Sequence, residues 1–404
     1  MQRIHANLMI PGRGAPVSDA VVLLDGPTIA YAGPAAEAPV AGDAEEVRAE
    51  VVMPGLWDCH VHLLGQLVPD LAMLPREPVA LRAARGVAGL RAALDAGVTS
   101  IRELGGLGLD MTAAVAEGTV PGPAIHAAGA AISPTGGHVD LHSYPLPWVH
   151  DYGAASNELR VADGESGCAR VVREQLRRNA KVIKICASGG VMSEVDHPIH
   201  QQFTAAELRV LVEVAGLAER AVAAHCHGKP GMIAALEAGV RTIEHGTYLD
   251  EECAAAMRET SAILVPTQFV IASAVADIDR LPPYARPKML AVVERHAEAV
   301  ALAHQTGVTV AMGTDIGAGD WGRHGEELTL LVKAGFTPLE AIETATANAP
   351  ATLGPQAPRS GRLEAGYDAD LLILDDNPLD DIAVLADPAR IRQVWQAGRR
   401  VKPV

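Results

Sequence analysis

The stretch VVMPGLWDCHVH, residues 51–62, is an apolar run that ends in two histidines. Side chains two residues apart on a β-strand lie on the same face, with Cα atoms roughly 6.6 Å apart, so His60 and His62 can bind one cation. Four more apolar runs end in side chains that can bind or bridge metals, namely Lys184, His225, His245 and Asp315. This pattern predicts five strands whose ends meet at one metal site.

Strand and helix patterns alternate through residues 55–361. The first strand is followed by a helical pattern at residues 79–96, and the alternation continues to a last helix at residues 337–353. Eight such units predict an α/β fold with parallel strands, the (β/α)8 or TIM barrel. Active sites of these barrels lie at the C-terminal ends of the strands, which is where the candidate ligands occur.

Both ends of the chain consist of short strand patterns separated by turns. Apolar runs occur at residues 20–24 and 28–32, and again at residues 369–374 and 391–395. Together they predict one small composite β-sandwich domain, residues 1–54 with 362–404, beside a barrel domain at residues 55–361. Residues 131–165 read as a long irregular insertion at the predicted site, together with the loops 192–203 and 317–326.

Composition and charge argue against several classes of partner. The chain has 404 residues, of which 49% are hydrophobic and 3% aromatic, so small aliphatic side chains fill a large core. A formal net charge of −16 argues against nucleic acid and anionic membrane surfaces, and no run of about 18 apolar residues predicts a membrane span. Five scattered cysteines and no signal-peptide pattern predict a cytoplasmic protein with reduced thiols. We expect a small-molecule substrate and a homo-oligomer.

The histidines and the aspartate favour a metal site over a purely structural role. A single His-x-His pair is weak support, because buried histidines often bond only to the backbone. Three further residues at successive strand ends strengthen the interpretation, since imidazole and carboxylate together suit zinc or a similar divalent ion. The candidate metal ligands are His60, His62, Lys184, His225, His245 and Asp315.

Lys184 is the unusual member of this set. One interpretation is a lysine that extends from a strand end into solvent, and Lys181 at the start of the same strand fits that interpretation well. A buried ammonium beside two metal ions is strongly disfavoured. The alternative is a neutral amine that reacts with carbon dioxide, and the resulting carbamate can bridge two cations.

The motifs together resemble those of metal-dependent hydrolases of the amidohydrolase superfamily. The resemblance covers nearly the whole chain and is carried by residues 54–62, 182–185, 224–228, 243–246, 313–315 and 366–371. Within the superfamily, the chain is similar to the branch of Xaa-Pro and Xaa-Arg/Lys dipeptidases, which also resembles imidazolonepropionase and ochratoxin-type amidases. The motifs for this branch are residues 135–138, 187–191, 265–267 and 324–325.

The resemblance implies a binuclear centre. One divalent ion is expected at His60, His62 and Asp315, and a second at His225 and His245. An N6-carboxylated Lys184 is expected to bridge the two ions, which are expected to be Zn²⁺. His227 is expected to lie on the same face as His225 but beyond the strand, toward substrate.

This centre implies a hydrolytic mechanism. Two cations that share a hydroxide lower its pKa and direct it at an electrophile, and Asp315 can carry the proton to the leaving nitrogen. His138 and His227 can hydrogen-bond the scissile carbonyl or a substrate carboxylate, or they can be loop histidines without a role. Arg102 and Glu103 also end a predicted strand, but such residues often form internal ion pairs, so they receive no assignment.

The sequence therefore predicts a binuclear zinc amidohydrolase that cleaves the amide C–N bond of a dipeptide or an N-acyl amino acid. A cyclic amide hydrolase of the imidazolonepropionase type is the first alternative. Enzymes of that type usually use one metal ion and lack the bridging lysine, so Lys184 argues against it. A non-catalytic barrel scaffold is the second alternative, and the intact ligand set argues against that one.

Overall fold

The structure is a computed structural model that describes residues 1–40, 42, 44–156 and 158–402. Its strands alternate with helices through the middle of the chain, which confirms the predicted α/β class. The strands are, in chain order, β1 (Gln2–Met9), β2 (Val17–Asp25), β3 (Thr28–Pro34), β4 (Glu45–Pro54), β5 (Leu56–Gln66), β6 (Val98–Glu103), β7 (Ala124–Ala127), β8 (Ala131–Ser133), β9 (Leu159–Val161), β10 (Val182–Cys186), β11 (Ala221–Cys226), β12 (Thr242–His245), β13 (Ile263–Val265), β14 (Ile316–Ala318), β15 (Leu371–Leu374), β16 (Ile391–Gln396) and β17 (Arg399–Lys402).

The helices follow the strands, and local sequence signals determine where several of them begin. α5 and α11 each begin with a capping box, Thr204 with Glu207 and Thr337 with Glu340, in which side chains satisfy the free amide groups of the first turn. The α-helices are α1 (Val79–Asp95), α2 (Gly108–Ala116), α3 (Leu146–Ala155), α4 (Gly164–Arg177), α5 (Ala205–Gly216), α6 (Lys229–Ala238), α7 (Glu251–Thr260), α8 (Gln268–Ala276), α9 (Ala285–Gln305), α10 (Glu326–Lys333) and α11 (Pro338–Thr344). Short 3-10 helices span Ala35–Glu37, Leu71–Arg76, Ile278–Arg280, Ala349–Gln356, Ile382–Ala386 and Pro388–Arg390.

Strands from both termini pair in one seven-stranded mixed sheet, in the order β17-β16-β15-β4-β1-β2-β3. The two ends of the chain meet where β4 and β15 run antiparallel, with Leu371 opposite Pro54. Alternate residues on these strands face a shared apolar core that includes Ile4, Val22 and Trp395. The terminal segments therefore depend on each other for burial of their apolar faces.

The remaining strands form two sheets in which all pairings are parallel, β14-β5-β6-β7 and β13-β12-β11-β10-β8-β9. Backbone hydrogen bonds connect the two sheets. The Lys181 amide donates to the Ala127 carbonyl, which links β10 to β7. On the other side, residues 309–312 bond to Leu264 of β13 and to Cys59 of β5. These links bring the ends of β5, β10, β11 and β12 toward one side.

Two local predictions differ from the structure. The apolar run before Asp315 forms only an isolated bridge between Val310 and Leu264, because parts of its backbone bond instead to Thr344 and Asn348. The insertion at residues 131–165, predicted to be irregular, contains β8, α3 and β9. The prediction was wrong because these elements are short, and α3 and β9 gain stability from packing with Leu64 and Leu74 rather than from their own periodicity.

The cysteines and the helices bear on the predicted environment of the chain. All five cysteines are buried and unpaired, as expected for core thiols. Among the described residues, no helix combines the length and the apolar character that crossing a membrane requires. Both observations concern the folded chain alone.

Candidate metal centre

His60, His62 and Asp315 form the first cluster of metal-competent atoms. β5 carries both histidines, and the Asp315 amide donates to the His60 carbonyl, which ties the aspartate to the same strand. His60 Nε2 lies 3.3 Å from His62 Nε2, and Asp315 Oδ1 lies 3.5 Å and 3.3 Å from these two nitrogens. The structure thus brings together the three residues predicted to hold one ion.

Hydrogen bonds behind the two rings determine which nitrogen carries the proton. His60 Nδ1 lies 2.9 Å from Glu244 Oε2, and His62 Nδ1 lies 2.8 Å from the Gly105 carbonyl oxygen. A carboxylate and a carbonyl only accept, so each Nδ1 donates and each Nε2 keeps its lone pair. Two nitrogen lone pairs and a carboxylate oxygen lie 3.3 to 3.5 Å from one another, so this set of atoms fits a cation.

Glu244 is a functional residue that the sequence analysis missed. It is fully buried, and Arg102 Nη2 donates to both of its carboxylate oxygens, at 2.7 and 2.9 Å. Arg102 also donates from Nε to the Cys59 carbonyl at 2.6 Å, next to His60. Arg102 therefore forms an internal ion pair, as its position at a strand end suggested. This ion pair holds Glu244 in place, and Glu244 in turn orients His60.

His225, His227 and His245 form the second cluster, in which the ligand atoms lie within 4.8 Å of one another. His225 Nε2 donates to the Gly189 carbonyl at 3.1 Å, so its Nδ1 keeps the lone pair. The rings of His227 and His245 stack at 4.8 Å with an interplanar angle of 12°. The sequence analysis placed His227 outside the ligand set, whereas the structure brings it into the same cluster as the two predicted ligands.

Threonines orient two of these rings from behind. His245 Nδ1 lies 2.7 Å from Thr267 Oγ1, and His227 Nδ1 lies 2.8 Å from Thr247 Oγ1. Both threonines are buried. Thr267 belongs to a motif noted in the sequence, but Thr247 had no signal of its own, because its role depends on how the loop after β12 folds over β11.

Lys184 lies at the centre of the candidate site. Only 3% of its surface is exposed, and its Nζ lies 3.3 Å from His60 Nε2. Within the part of the chain that the structure describes, no carboxylate forms an ion pair with it, and burial lowers its pKa. Lys181 by contrast bonds to Asn179 at the exposed start of the strand. A buried amine of lowered pKa fits the neutral form that carboxylation requires.

Burial also controls the protonation of the other candidate ligands. Burial lowers the pKa of His60 well below its usual value and that of His62 to about 4. Burial likewise lowers the pKa of His225 and His245. All four rings are therefore neutral at neutral pH, which leaves their lone pairs available to metal ions.

Two of the candidate ligands have a strained backbone. His245 has a φ of +69° and Asp315 a φ of +60°, and Thr267, which orients His245, has a φ of +55°. Residues with a Cβ rarely adopt this left-handed region, and such strain concentrates at functional sites. Each of these residues ends a strand-like segment, so the turn redirects its side chain toward the cluster.

Asp58 ties the two ends of the first cluster together. Its carboxylate accepts hydrogen bonds from the His60 amide at 3.0 Å, from the Thr314 amide at 3.1 Å and from the Thr314 hydroxyl at 2.5 Å. His324 Nδ1 donates to the same carboxylate at 2.7 Å. The sequence analysis quoted both residues in motifs but gave them no role. Asp58 fixes the positions of β5 and of the segment before Asp315 relative to each other.

A cavity of about 240 Å³ opens above the two clusters. Both clusters and Lys184 contribute to its floor, and His138 lies in its wall with its ring stacked on His225 at 4.3 Å. Most of the wall is apolar and comes from the 3-10 helix at Leu71–Arg76, the insertion, the loop after β10, α8 and α9. Its residues include Leu74, Leu159, Val191, Phe269, Ile271 and Met289. The outer part carries the charged residues Asp70, Asp277, Arg280 and Asp320. The cavity suits a small molecule with an apolar portion.

Glu103 yields a prediction about stability. It is fully buried, and burial raises its pKa to about 8. The folded protein therefore holds this proton more tightly than the unfolded chain does, so the stabilising effect is complete below the ordinary pKa of 4.5 and is lost as the pH rises through about 8. Glu103→Gln, which is uncharged at every pH, is expected to raise the melting temperature at about pH 9 and to have little effect at about pH 4.

Thermal unfolding across this pH range, in a chelator so that metal binding does not contribute, measures the effect. Glu259→Gln on the exposed surface of α7 is the matched control, and its melting temperature should follow wild type at every pH. A difference between Glu103→Gln and wild type that does not change with pH would contradict the assignment.

Comparison with known proteins agrees with this geometry. The amidohydrolase family model matches residues 51–401. Ochratoxinase from Aspergillus niger is 41% identical over 419 aligned residues, which cover 99% of this chain and 86% of the relative. Its crystal structure superimposes with a TM-score of 0.94 at 40% identity and covers 100% of this chain and 95% of its own.

Two further relatives are more distant. The crystal structure of a Xaa-Pro dipeptidase with methionine bound in the active site has a TM-score of 0.88 and 30% identity, and the match covers 99% of both chains. Imidazolonepropionase from Streptomyces griseus is 25% identical over 415 aligned residues, 96% of this chain and 95% of the relative. The family match over most of the chain and the extent of the ochratoxinase match establish that the chain belongs to the amidohydrolase family and is a hydrolase of amide carbon–nitrogen bonds.

Proposed function

We propose that the chain is a binuclear zinc-dependent amidohydrolase that cleaves a dipeptide or an N-acyl amino acid. The observation that carries this proposal is the buried Lys184 beside two clusters of unprotonated imidazoles at the floor of one cavity. His60, His62 and Asp315 would hold one Zn²⁺, and His225 and His245 the other. Lys184, carboxylated at N6, would bridge the two ions.

The ions would activate a water molecule and polarise the scissile carbonyl when bound. Asp315 Oδ1 faces both His60 and His62, and this leaves Oδ2 as the atom that can receive a proton and pass it to the leaving nitrogen. Without bound ions, burial raises the pKa of Asp315 to about 7.

His227 is proposed to contact the substrate rather than to hold an ion. Its amide donates to Ser188 Oγ at 2.9 Å and its Nδ1 bonds to Thr247, so both the backbone and the ring are held rigidly. Its other ring nitrogen, Nε2, is then available to the scissile carbonyl or to a substrate carboxylate. Because His227 belongs to the second cluster, a role as a further metal ligand is the competing assignment. The metal content of His227→Ala distinguishes the two assignments.

The alternatives lack the support that Lys184 provides. A cyclic amide hydrolase of the imidazolonepropionase type would leave the buried amine without a function. In a non-catalytic scaffold there would be no need for Glu244, Gly105 and Gly189 to accept hydrogen bonds from one nitrogen of each ring and so leave the other nitrogen with its lone pair. The two clusters therefore favour a binuclear hydrolase over both.

We further propose the domain organisation that the strand links support. The parallel strands would close as a (β/α)8 barrel at residues 55–361, and the terminal strands would form a small β-sandwich domain from residues 1–54 and 362–404. The buried free thiols are consistent with a cytoplasmic location. A homo-oligomeric state stays a prediction that size measurement in solution tests.

A substrate screen tests the proposed function. Zinc-loaded protein should hydrolyse members of a library of dipeptides and N-acyl amino acids, with better turnover of those that carry an apolar side chain or acyl group because the cavity wall is apolar. The same protein after chelation is the control and should be inactive. Hydrolysis of imidazolone propionate alone, with no activity on linear amides, would replace the proposal with the cyclic amide alternative.

A further inference from the structure

The loop between β10 and α5 forms part of the apolar cavity wall. Its residues, 187–204, form turns and one isolated bridge, and Val191 and Met192 line the cavity. The other part of this wall comes from α8 and α9, through Ile271 and Met289 among others. Because the loop contains neither a helix nor a regular strand, its position against α8 and α9 depends on contacts between side chains and backbone.

The ammonium group of Lys288, on α9, binds this loop. Its Nζ lies 2.7 Å from the Ser193 carbonyl oxygen and 3.5 Å from the Gly190 carbonyl oxygen, and it also donates to the Asp196 carbonyl. The Asp196 carboxylate is a fourth acceptor, with Oδ1 3.4 Å from Nζ. An ammonium group has three N–H groups, so four acceptors from one loop engage all of them.

Burial strengthens this contact. The Lys288 side chain is 13% exposed and the Asp196 side chain 5%, so water competes little for either group. Hydrogen bonds to a charged group are stronger than those between neutral groups, and a low local dielectric strengthens them further. Lys288 and Asp196 are 92 positions apart in the sequence, so the contact attaches the loop to a distant helix.

Asp196 also organises the inside of the loop. Its carboxylate accepts the Gly190 amide at 3.1 Å, Gln202 Nε2 at 2.9 Å and the Ser193 hydroxyl. These three donors remain when Lys288 is replaced, so its loss does not leave the carboxylate without partners. Replacement of Lys288 therefore weakens the attachment of the loop to α9 without leaving an unpaired buried charge.

We infer that Lys288 is a positioning residue that holds residues 190–196 against α9 and thereby sets the width of the apolar part of the cavity. It acts on substrate through Val191 and Met192, which pack with Met289 in one apolar cluster. Lys288 lies on α9, whereas the proposed metal ligands lie at strand ends, so we expect it to affect binding rather than the chemical step. The part of the inference that concerns substrate rests on the proposed function, whereas the attachment of the loop does not.

Hydrogen exchange measured by mass spectrometry tests the attachment without any substrate. Lys288→Met keeps a side chain of similar length that cannot donate, so the amides of residues 190–196 should exchange at least about tenfold faster than in wild type. Lys333→Met, on the exposed surface of α10, is the matched control and should match wild type. Unchanged exchange in the loop, or equal acceleration throughout the protein, would overturn the inference whether or not the protein hydrolyses any substrate tested.

Steady-state kinetics tests the consequence for substrate binding. The best apolar substrate is compared with homologues in which each of its apolar groups in turn is shortened to a methyl. Lys288→Met should raise the KM of the full substrate by about tenfold and leave kcat within about twofold, and for one homologue the rise in KM should disappear. An equal rise in KM for every homologue would overturn the inference. So would a fall in kcat or in metal content, which would place the effect at His225, whose Nε2 bonds to the adjacent Gly189 carbonyl.

Discussion

Lys184→Ala is expected to reduce the metal content from about two ions per chain to one or none and to abolish activity. The physical reason is that no other described side chain is positioned at the same place, with Nζ 3.3 Å from His60 Nε2, to bridge the two clusters. Loss of a bridging ligand removes charge neutralisation from both ions at once. Elemental analysis of protein produced with added zinc, together with turnover of the best substrate, measures both effects.

Lys181→Ala is the matched control for this experiment. Lys181 belongs to the same segment of chain and precedes β10, but its ammonium bonds to Asn179 at the exposed end of the strand. Its removal should leave both ions and the activity intact. Equal metal loss in the two variants would mean that Lys184 acts through folding rather than as a ligand. Retention of two ions by Lys184→Ala would contradict the bridging carbamate.

Asp315→Asn is expected to lower turnover by around 10²–10⁴-fold, the usual effect of removing a general base. The amide keeps an oxygen next to His60 and His62 but cannot take up a proton and release it to the leaving nitrogen. Metal content should fall less than activity, because an amide oxygen remains a weak ligand. Steady-state kinetics and elemental analysis on the same preparation separate the two effects.

Asp375→Asn serves as the control for Asp315→Asn. Asp375 forms an exposed ion pair with Arg392 on the terminal sheet, far in sequence from the cluster, and its loss should leave turnover unchanged. Should Asp315→Asn stay within about threefold of wild type, proton transfer would run through another group. His227, which belongs to the second cluster, would then be the next residue to test.

The order of the candidate ligands along the chain could be predicted because each ligand follows an apolar run that is itself a local sequence pattern. Parallel strands that alternate with helices must end on one side, so a polar residue after each apolar run predicts convergence without knowledge of distances. His60 and His62 illustrate this, since the two-residue repeat of a strand alone places both on one face. The terminal strands could also be predicted to pair, because neither set can bury its apolar face alone.

The partners of these ligands could not be predicted in the same way. Glu244 and Arg102 are separated by 142 positions, and each could equally have faced solvent or substrate. Asp58 and His324 are 266 positions apart, yet one hydrogen bond joins them. Such contacts depend on the rotation and register of neighbouring strands, which no local pattern specifies.

Sequence alone predicted which chemical groups meet at the candidate site, because imidazole, carboxylate and amine groups at strand ends restrict what can be bound there. Only the tertiary structure decided how those groups behave. Burial sets their pKa values, and the hydrogen bonds that the rings donate to the Glu244 carboxylate and the Gly105 carbonyl decide which imidazole nitrogen keeps its lone pair. A neutral histidine has two equivalent choices of proton position until a partner in space selects one, and that selection is a property of the fold.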